Sequence, residues 1–427
     1  MKIGIIGCGY VFDHYMTTIK RHPGLEIVGI ADRNTIRAEQ AGRFYDLRVF
    51  DNAAALLADP DITIVANFTS IESHFDVSRA ILEAGKHVYS EKPLTTTMEE
   101  AENLAALARE KGLRLSSAPS NALSPSVQTL WKAVEDGVVG DVRMVYAEFD
   151  DNPVYLLNPE TWKSRSGAPW PYLHEYEMGC TWEHVGYHLT WMCALFGPVR
   201  SVTAFSKMTL PDKTTQLLDP ADTPDFSIAC LDFASGVVGR ITCSIAAPTD
   251  HRMRIFGNQG VVQTDTYRDY LAPVYLESFT TLGLKARNLR LVRQSTFLQR
   301  LTGVGGRRLP MVQSPAPGGG TTRLSGNIFQ RFRASQRGVQ DKSIGLAELA
   351  EAIATDRPQF PPPDFTLHLT ELTLLIQAAG ADGASHRPKT SFTPIALPER
   401  TRNEAPDYGK FRKPKLLPRL LGTKIIS

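Results

Sequence analysis

The chain has few cysteines, no long apolar run and no dominant charge, and each shortage removes a class of protein. Five cysteines (Cys8, Cys180, Cys193, Cys230, Cys243) in 427 residues are an odd set without a C-x-x-C pair. Neither a disulfide framework nor a zinc cluster is indicated. No apolar stretch approaches the roughly 18 residues that a membrane helix needs. The opening MKIGIIGCGYVF has a lysine before an apolar run but no A-x-A-like site after it, and its glycines suit a strand and turn better than a signal peptide. Basic and acidic side chains nearly balance, 47 against 45, and no internal repeat is present. These features predict a cytoplasmic protein in a reducing compartment. The hydrophobic share of 42% is ordinary for a globular chain, and the length exceeds what one core usually fills, so two domains are expected.

The first 120 residues alternate apolar β-branched runs with amphipathic stretches. KIGIIG is followed by the turn CGY, a helical VFDHYMTTIKRH, and a second run LEIVGIAD that ends in an acid. Strand, glycine turn, helix, strand and terminal acid form the unit whose helix N-terminus receives a pyrophosphate. Gly7 and Gly9 allow the backbone to approach the phosphates, with Tyr10 and Val11 beginning the helix. Asp32 is placed to accept hydrogen bonds from the adenosine ribose. Its carboxylate favours NAD by repelling a 2′-phosphate, while Arg33 beside it could pair with one, so NADP stays open. The third fingerprint position is Phe12 instead of glycine or alanine. Further runs, ITIVANF, HVYS and LRLSSA, separated by helical SHFDVSRAILEAGK and TMEEAENLAALAREKG, predict a doubly wound parallel sheet.

The segment EAGKHVYSEKPL, together with GIIGCGY and His14, TSIESH at residues 69–74, LSPSV and the later GYH, resembles the Gfo/Idh/MocA family of glucose–fructose oxidoreductase and inositol dehydrogenase. The resemblance covers residues 1 to about 270 well and the rest loosely. It implies a Rossmann domain followed by an α+β domain with a large, open, mostly antiparallel sheet, and hydride exchange with a sugar or polyol carbon. It assigns Thr69, Ser70, His74 and Glu91 to the dinucleotide, Lys92 to catalysis, a cis bond before Pro93, and His188 to the histidine of a D-x-G-x-H helix motif. Independently, ligands of open α/β sheets bind outside the carboxyl ends of the strands, where Glu91, Lys92 and Pro93 fall. A partly desolvated lysine there can donate to a substrate oxygen and stabilise charge on it.

The stretch GCTWEHVGYH, residues 179–188, raises three possibilities: a metal site, an acid–base centre, or a helix start. Thr181 is a good N-cap, and Val185, Leu189 and Met192 recur at helical spacing, giving a helix that ends at Gly197 and Pro198. Glu183 in its first turn balances the helix dipole. His184 and His188 lie four apart on one face, but no third ligand accompanies them and H-E-x-x-H is not formed, so no metal is expected. Histidine suits a base near neutral pH. We expect His188 as base and His184 as substrate ligand, or the reverse, with His184 standing where the family usually carries aspartate.

Four of the five tryptophans lie between residues 151 and 191, interleaved with tyrosines, as in surfaces that stack on the C–H faces of sugars. Asn121, Trp162, Lys163, Tyr172 and Glu175 are the expected substrate contacts. Residues 278–340 hold eleven basic side chains and no acid, predicting a basic amphipathic helix over LGLKARNLRLVRQSTFLQRLTG. That stretch and the basic tail suggest an anionic sugar derivative or weak contact with an acidic membrane surface, not a nucleic acid. SIGLAELAEAIATD and DFTLHLTELTLLIQAAGADG read as helices packed on the second sheet. The expected organisation is a dinucleotide domain at 1–120, a substrate-binding and oligomerisation domain at 121–395, and a basic tail at 396–427, in a homo-oligomer. The expected activity is NAD(P)-dependent oxidation or reduction of a sugar or glycoside carbon. Alternatives are a lyase or glycosidase using bound NAD transiently, and a non-catalytic dinucleotide-binding regulator.

Overall fold

A computed structural model describes residues 1–313 and 340–412. Strands β1 (Lys2–Ile6), β2 (Glu26–Ala31), β3 (Ile64–Asn67), β4 (His87–Ser90) and β5 (Leu115–Ser117) form a parallel sheet in the order β2-β1-β3-β4-β5. Helices cover both faces of that sheet, so its strands read as near-continuous apolar runs. β3 is buried at every position. Helix Met98–Glu110 is fixed at its start by a reciprocal capping box between Thr97 and Glu100. Phe12, at the third fingerprint position, is fully buried and packs edge-on against Tyr45, filling the space that a glycine would leave.

Among the described residues the second sheet has nine strands in the order β13-β12-β11-β10-β6-β9-β8-β7-β14. They are β6 (Val142–Asp150), β7 (Val199–Lys207), β8 (Phe226–Phe233), β9 (Val238–Ser244), β10 (Met253–Gly257), β11 (Gly260–Thr264), β12 (Val274–Ser278), β13 (Arg307–Arg308) and β14 (Ala384–His386). Every pairing is antiparallel except β6 with β9. On one face Val145, Ala147 and Phe149 meet the helix Cys180–Phe196 within a single apolar cluster. The other face presents Met144 and Val238, with the Arg240 guanidinium 4.6 Å from the Tyr146 ring centroid. That alternation is the period of a sheet covered on one side only.

Three local expectations are corrected. Thr181 does not cap its helix: the helix begins at Cys180 after Gly179, and the buried Thr181 hydroxyl donates to Ser227 Oγ at 2.7 Å. The helix Ile344–Ala354 packs on the first sheet rather than the second, with Leu346, Leu349 and Ala350 joining Ile3, Ile5 and Phe12 in one cluster. The single basic helix is three short ones, Thr281–Ala286, Arg290–Gln294 and Thr296–Thr302. Asn288 and Ser295 interrupt it, and the Ser295 hydroxyl caps the third piece through Leu298 N. The remaining basic residues of that segment from Arg323 onward, and the tail from 413, lie outside the described residues. Among the described residues no helix is long and apolar enough to cross a membrane.

Candidate active site

The carboxyl ends of the parallel strands open onto one cleft of about 910 Å³, bounded on its far side by the helix Cys180–Phe196 and the loop before it. All the residues expected at the dinucleotide, from Gly7 and Gly9 through Asp32, Arg33, Thr69, Ser70 and His74 to Glu91 and Lys92, line it together with Tyr10 and Val11. Gly7 has φ +101°, and a Cβ there would lie 2.5 Å from the Phe68 carbonyl. Only glycine fits that position without strain. A Cβ on Gly9 would meet nothing within 4 Å, so the backbone at the start of helix Tyr10–Thr18 is open to a bound group. An exposed helix N-terminus over a glycine turn fits a pyrophosphate. Asp32 accepts from Cys8 N at 2.7 Å and Asn34 N at 2.8 Å, and Arg37 lies 3.8 Å from it. The carboxylate is therefore held rigidly at the end of β2, with two arginines, Arg33 and Arg37, beside it on the cleft.

Lys92 follows β4 and precedes a cis bond to Pro93. His74 braces this turn, its Nδ1 lying 2.7 Å from the Pro93 carbonyl. The Lys92 ammonium pairs with Glu183. Burial acts to lower its pKa, but Glu183, with Tyr187, Glu175 and Glu91, outweighs burial and holds it above the ordinary lysine value. Lys92 is therefore a charged donor, not a base, at neutral pH.

The helix that carries the expected histidines is turned by one residue relative to the sequence reading. Glu183 and Tyr187, not His184 and His188, stand at the i and i+4 positions against Lys92. His188 is fully buried and does not line the cleft. Its Nε2 lies 2.7 Å from the Glu148 carbonyl and its Nδ1 accepts from the Trp191 indole at 2.8 Å. Burial lowers its pKa to about 3, so both nitrogens are committed in a neutral ring that braces helix against sheet. His184 does reach the cleft, stacked on Phe149 with 4.4 Å between ring centroids. Its Nδ1 is buried and has no hydrogen-bond partner among the described residues, and burial holds the ring well below the usual histidine pKa.

Glu175 lies 3.8 Å from His184 Nε2. Burial, and then the neighbouring Glu183, raise its pKa to about 8, which leaves it mostly protonated at neutral pH. The rings of Trp162 and Trp170 stack 4.8 Å apart and both line the cleft. Three expected substrate contacts do not reach it. Asn121 is fully buried and donates to the Tyr187 carbonyl at 2.7 Å. Lys163 is exposed on the loop, and Tyr172 packs edge-on against Tyr176 in the second core. Glu183, Tyr187, Arg268 and Lys342 line the cleft without having been expected there. The E-x-x-x-Y spacing was the one signal that marked two of them.

The chain matches the family model described as the oxidoreductase family, NAD-binding Rossmann fold, over residues 1–118, and the GFO/IDH/MocA C-terminal domain over residues 127–263. A trans-1,2-dihydrobenzene-1,2-diol dehydrogenase of Bos taurus is 25% identical over 268 residues, which cover 62% of this chain and 73% of that protein. Among solved structures, a levoglucosan dehydrogenase in complex with NADH and levoglucosan superposes with a TM-score of 0.69 at 19% identity, covering 91% of this chain and 99% of that one. The WlbA dehydrogenase of Bordetella pertussis, in complex with NADH and UDP-GlcNAcA, gives 0.63 at 18% identity, covering 91% and 97%. With the parallel sheet, the open glycine turn and the lysine at the strand end already in place, the two matches across 1–263 establish that the chain belongs to the GFO/IDH/MocA oxidoreductases, with an NAD-binding Rossmann fold.

Proposed function

We propose that this protein is an NAD(P)-dependent dehydrogenase that moves a hydride between the nicotinamide and a secondary alcohol of a sugar or glycoside. The observation that carries the reading is the position of the charged Lys92, at the carboxyl end of β4, in the same cleft as the phenol of Tyr187. A bound nicotinamide supplies the hydride acceptor in the oxidation and the donor in the reduction. Lys92 donates a hydrogen bond to the reacting oxygen and stabilises the charge that develops on it. Glu183 fixes the ammonium in place. The Tyr187 oxygen takes the hydroxyl proton during oxidation and returns it during reduction. The carboxylic acid of Glu175, beside the neutral ring of His184, donates to a neighbouring hydroxyl. The paired indoles of Trp162 and Trp170 offer a face for the sugar C–H groups.

The charges along the cleft favour a neutral carbohydrate over an anionic one. Lys92 pairs with Glu183, Arg268 with Asp151, and Lys342 stands 3.9 Å from Glu91. The open face of the second sheet supports a homo-oligomer, which light scattering would test. Leu289, Leu291 and Phe297 are exposed among Arg290, Arg293 and Arg300, which supports a weak contact with acidic lipid surfaces. The deciding experiment is a panel of sugars, glycosides, uronates and nucleotide-sugars offered with NAD and with NADP, read by formation of reduced nicotinamide. Net reduction in the wild type that disappears in Lys92→Ala is expected. Turnover of a glycoside without net reduction would favour transient oxidation with elimination, and no reaction across the panel would refute the dehydrogenase.

A further inference from the structure

A second lysine reaches the active centre from far along the chain. Lys342 precedes the helix Ile344–Ala354, and its side chain is 11% exposed. Its ammonium donates to the Tyr187 hydroxyl at 2.6 Å and lies 3.9 Å from Glu91 Oε1. Glu91 is in turn held by the Tyr15 hydroxyl at 2.7 Å and by Lys92 N at 3.1 Å. A long flexible side chain loses rotamer freedom when it is fixed in one place, so the anchoring of its backbone matters.

Both neighbours of Lys342 are pinned to the cofactor-binding half. Asp341 Oδ2 meets His22 Nε2 at 3.0 Å with both side chains buried. The Ser343 hydroxyl donates to the Tyr15 carbonyl at 2.9 Å and lies 3.0 Å from Thr18 Oγ1. Gly345 permits the approach, since a Cβ there would sit 2.6 Å from the Tyr89 hydroxyl oxygen. Three neighbouring residues, Asp341, Ser343 and Gly345, thus serve to aim one ammonium at one phenol oxygen.

We propose that Lys342 is a positioning residue for proton transfer, acting through Tyr187. The assignment rests on the dehydrogenase reading above. The ammonium orients the phenol oxygen toward the substrate hydroxyl and offsets negative charge on that oxygen during the proton transfer. In the oxidation the substrate O–H bond breaks, its proton bonds to the Tyr187 oxygen, and the hydride leaves the same carbon for the nicotinamide. Lys342 keeps its own proton throughout. It differs from Lys92, which touches the substrate oxygen itself, because its loss leaves substrate binding intact.

The test compares wild type, Lys342→Met, Lys342→Arg and Tyr187→Phe with an alcohol substrate found in the panel above. For Lys342→Met, kcat falls roughly tenfold to a hundredfold, the worth of one charge-assisted hydrogen bond, while KM for substrate and dinucleotide stays within about twofold. Lys342→Arg keeps more of the rate. Added ethylammonium restores part of the rate of Lys342→Ala, where truncation leaves room for it, and none of that of Tyr187→Phe, and the Lys342→Met, Tyr187→Phe double variant is no slower than Tyr187→Phe. If Lys342→Met folds poorly, the arginine variant and amine rescue of Lys342→Ala carry the same comparison. Unchanged kcat in Lys342→Met, a loss confined to KM, or additive losses in the double variant would overturn the proposal while leaving the dehydrogenase intact. A wild type inactive on every alcohol would refute the dehydrogenase reading itself.

Discussion

Glu175 gives the most direct physical test of the site, because it needs no substrate. Burial and the nearby Glu183 raise its carboxyl from 4.5 to about 8, so the folded protein holds a proton there that the unfolded chain releases near pH 4.5. Wherever the native state binds the extra proton, stability falls as pH rises. The contribution is complete below about pH 4.5 and is lost as pH climbs through 8. One proton sets a limiting slope of about 1.4 kcal/mol per pH unit. The carboxyl group is 21% exposed and Lys92 opposes its shift, so a total on the order of a few kcal/mol is expected across the window. Glu175→Gln keeps a neutral group of the same shape and removes the titration. Thermal or urea unfolding of the ligand-free protein, followed from pH 5 to 9, should show the variant gaining on the wild type as pH rises and exceeding it at pH 8 and above. Histidines titrate in the same range, and His184 and His188, both held low by burial, impose the opposite slope. Taking the difference between the two proteins cancels them. Parallel curves for wild type and variant across that range would show that Glu175 is ionised and that the proposed donor does not exist.

Other outcomes follow from the same geometry. Tyr187→Phe should lower kcat by roughly a hundredfold to ten-thousandfold with little change in KM; steady-state kinetics with the reduced nicotinamide as readout decides it, and a rate near wild type would return the proton to another group. Gly7→Ala places a methyl 2.5 Å from the Phe68 carbonyl in a left-handed backbone, so dinucleotide affinity, followed by protein fluorescence, and the melting temperature should both fall. Trp162→Ala should raise KM for the sugar about fivefold to tenfold and spare dinucleotide binding, as the loss of one stacking face of about 1 kcal/mol predicts; an unchanged KM would remove the indole pair from the substrate.

The parallel sheet was legible because each strand is buried on both sides and therefore written as a short, unbroken apolar run such as ITIVAN. The chemistry at its end was legible because E-K-P follows HVYS without a gap. The helix Cys180–Phe196 was harder. It is apolar on most of its surface, with Tyr187, Leu189, Trp191 and Met192 all buried, so its composition does not say which stripe faces the cleft. A rotation of one residue, about 100°, brings Glu183 and Tyr187 against Lys92 and turns His188 into the core, while His184 stays at the cleft. Lys342 could not be read at all. Its role comes from a fold that brings residue 342 back to residues 15, 22 and 91, and no local pattern records that return.

The loop that carries the tryptophans is tied to the first helix through Asp13, whose carboxylate receives Tyr45, Ser164 and Ser166, the last through both its hydroxyl and its backbone N–H. One buried acid in the cofactor-binding half thus sets the height of the paired indoles of Trp162 and Trp170 above the floor of the cleft. For anyone exchanging this loop with that of a relative, Asp13, Ser164 and Ser166 form a single hydrogen-bonded unit. A grafted loop without its matching acid would bring the right aromatic residues and hold them at the wrong distance from the transferred hydride.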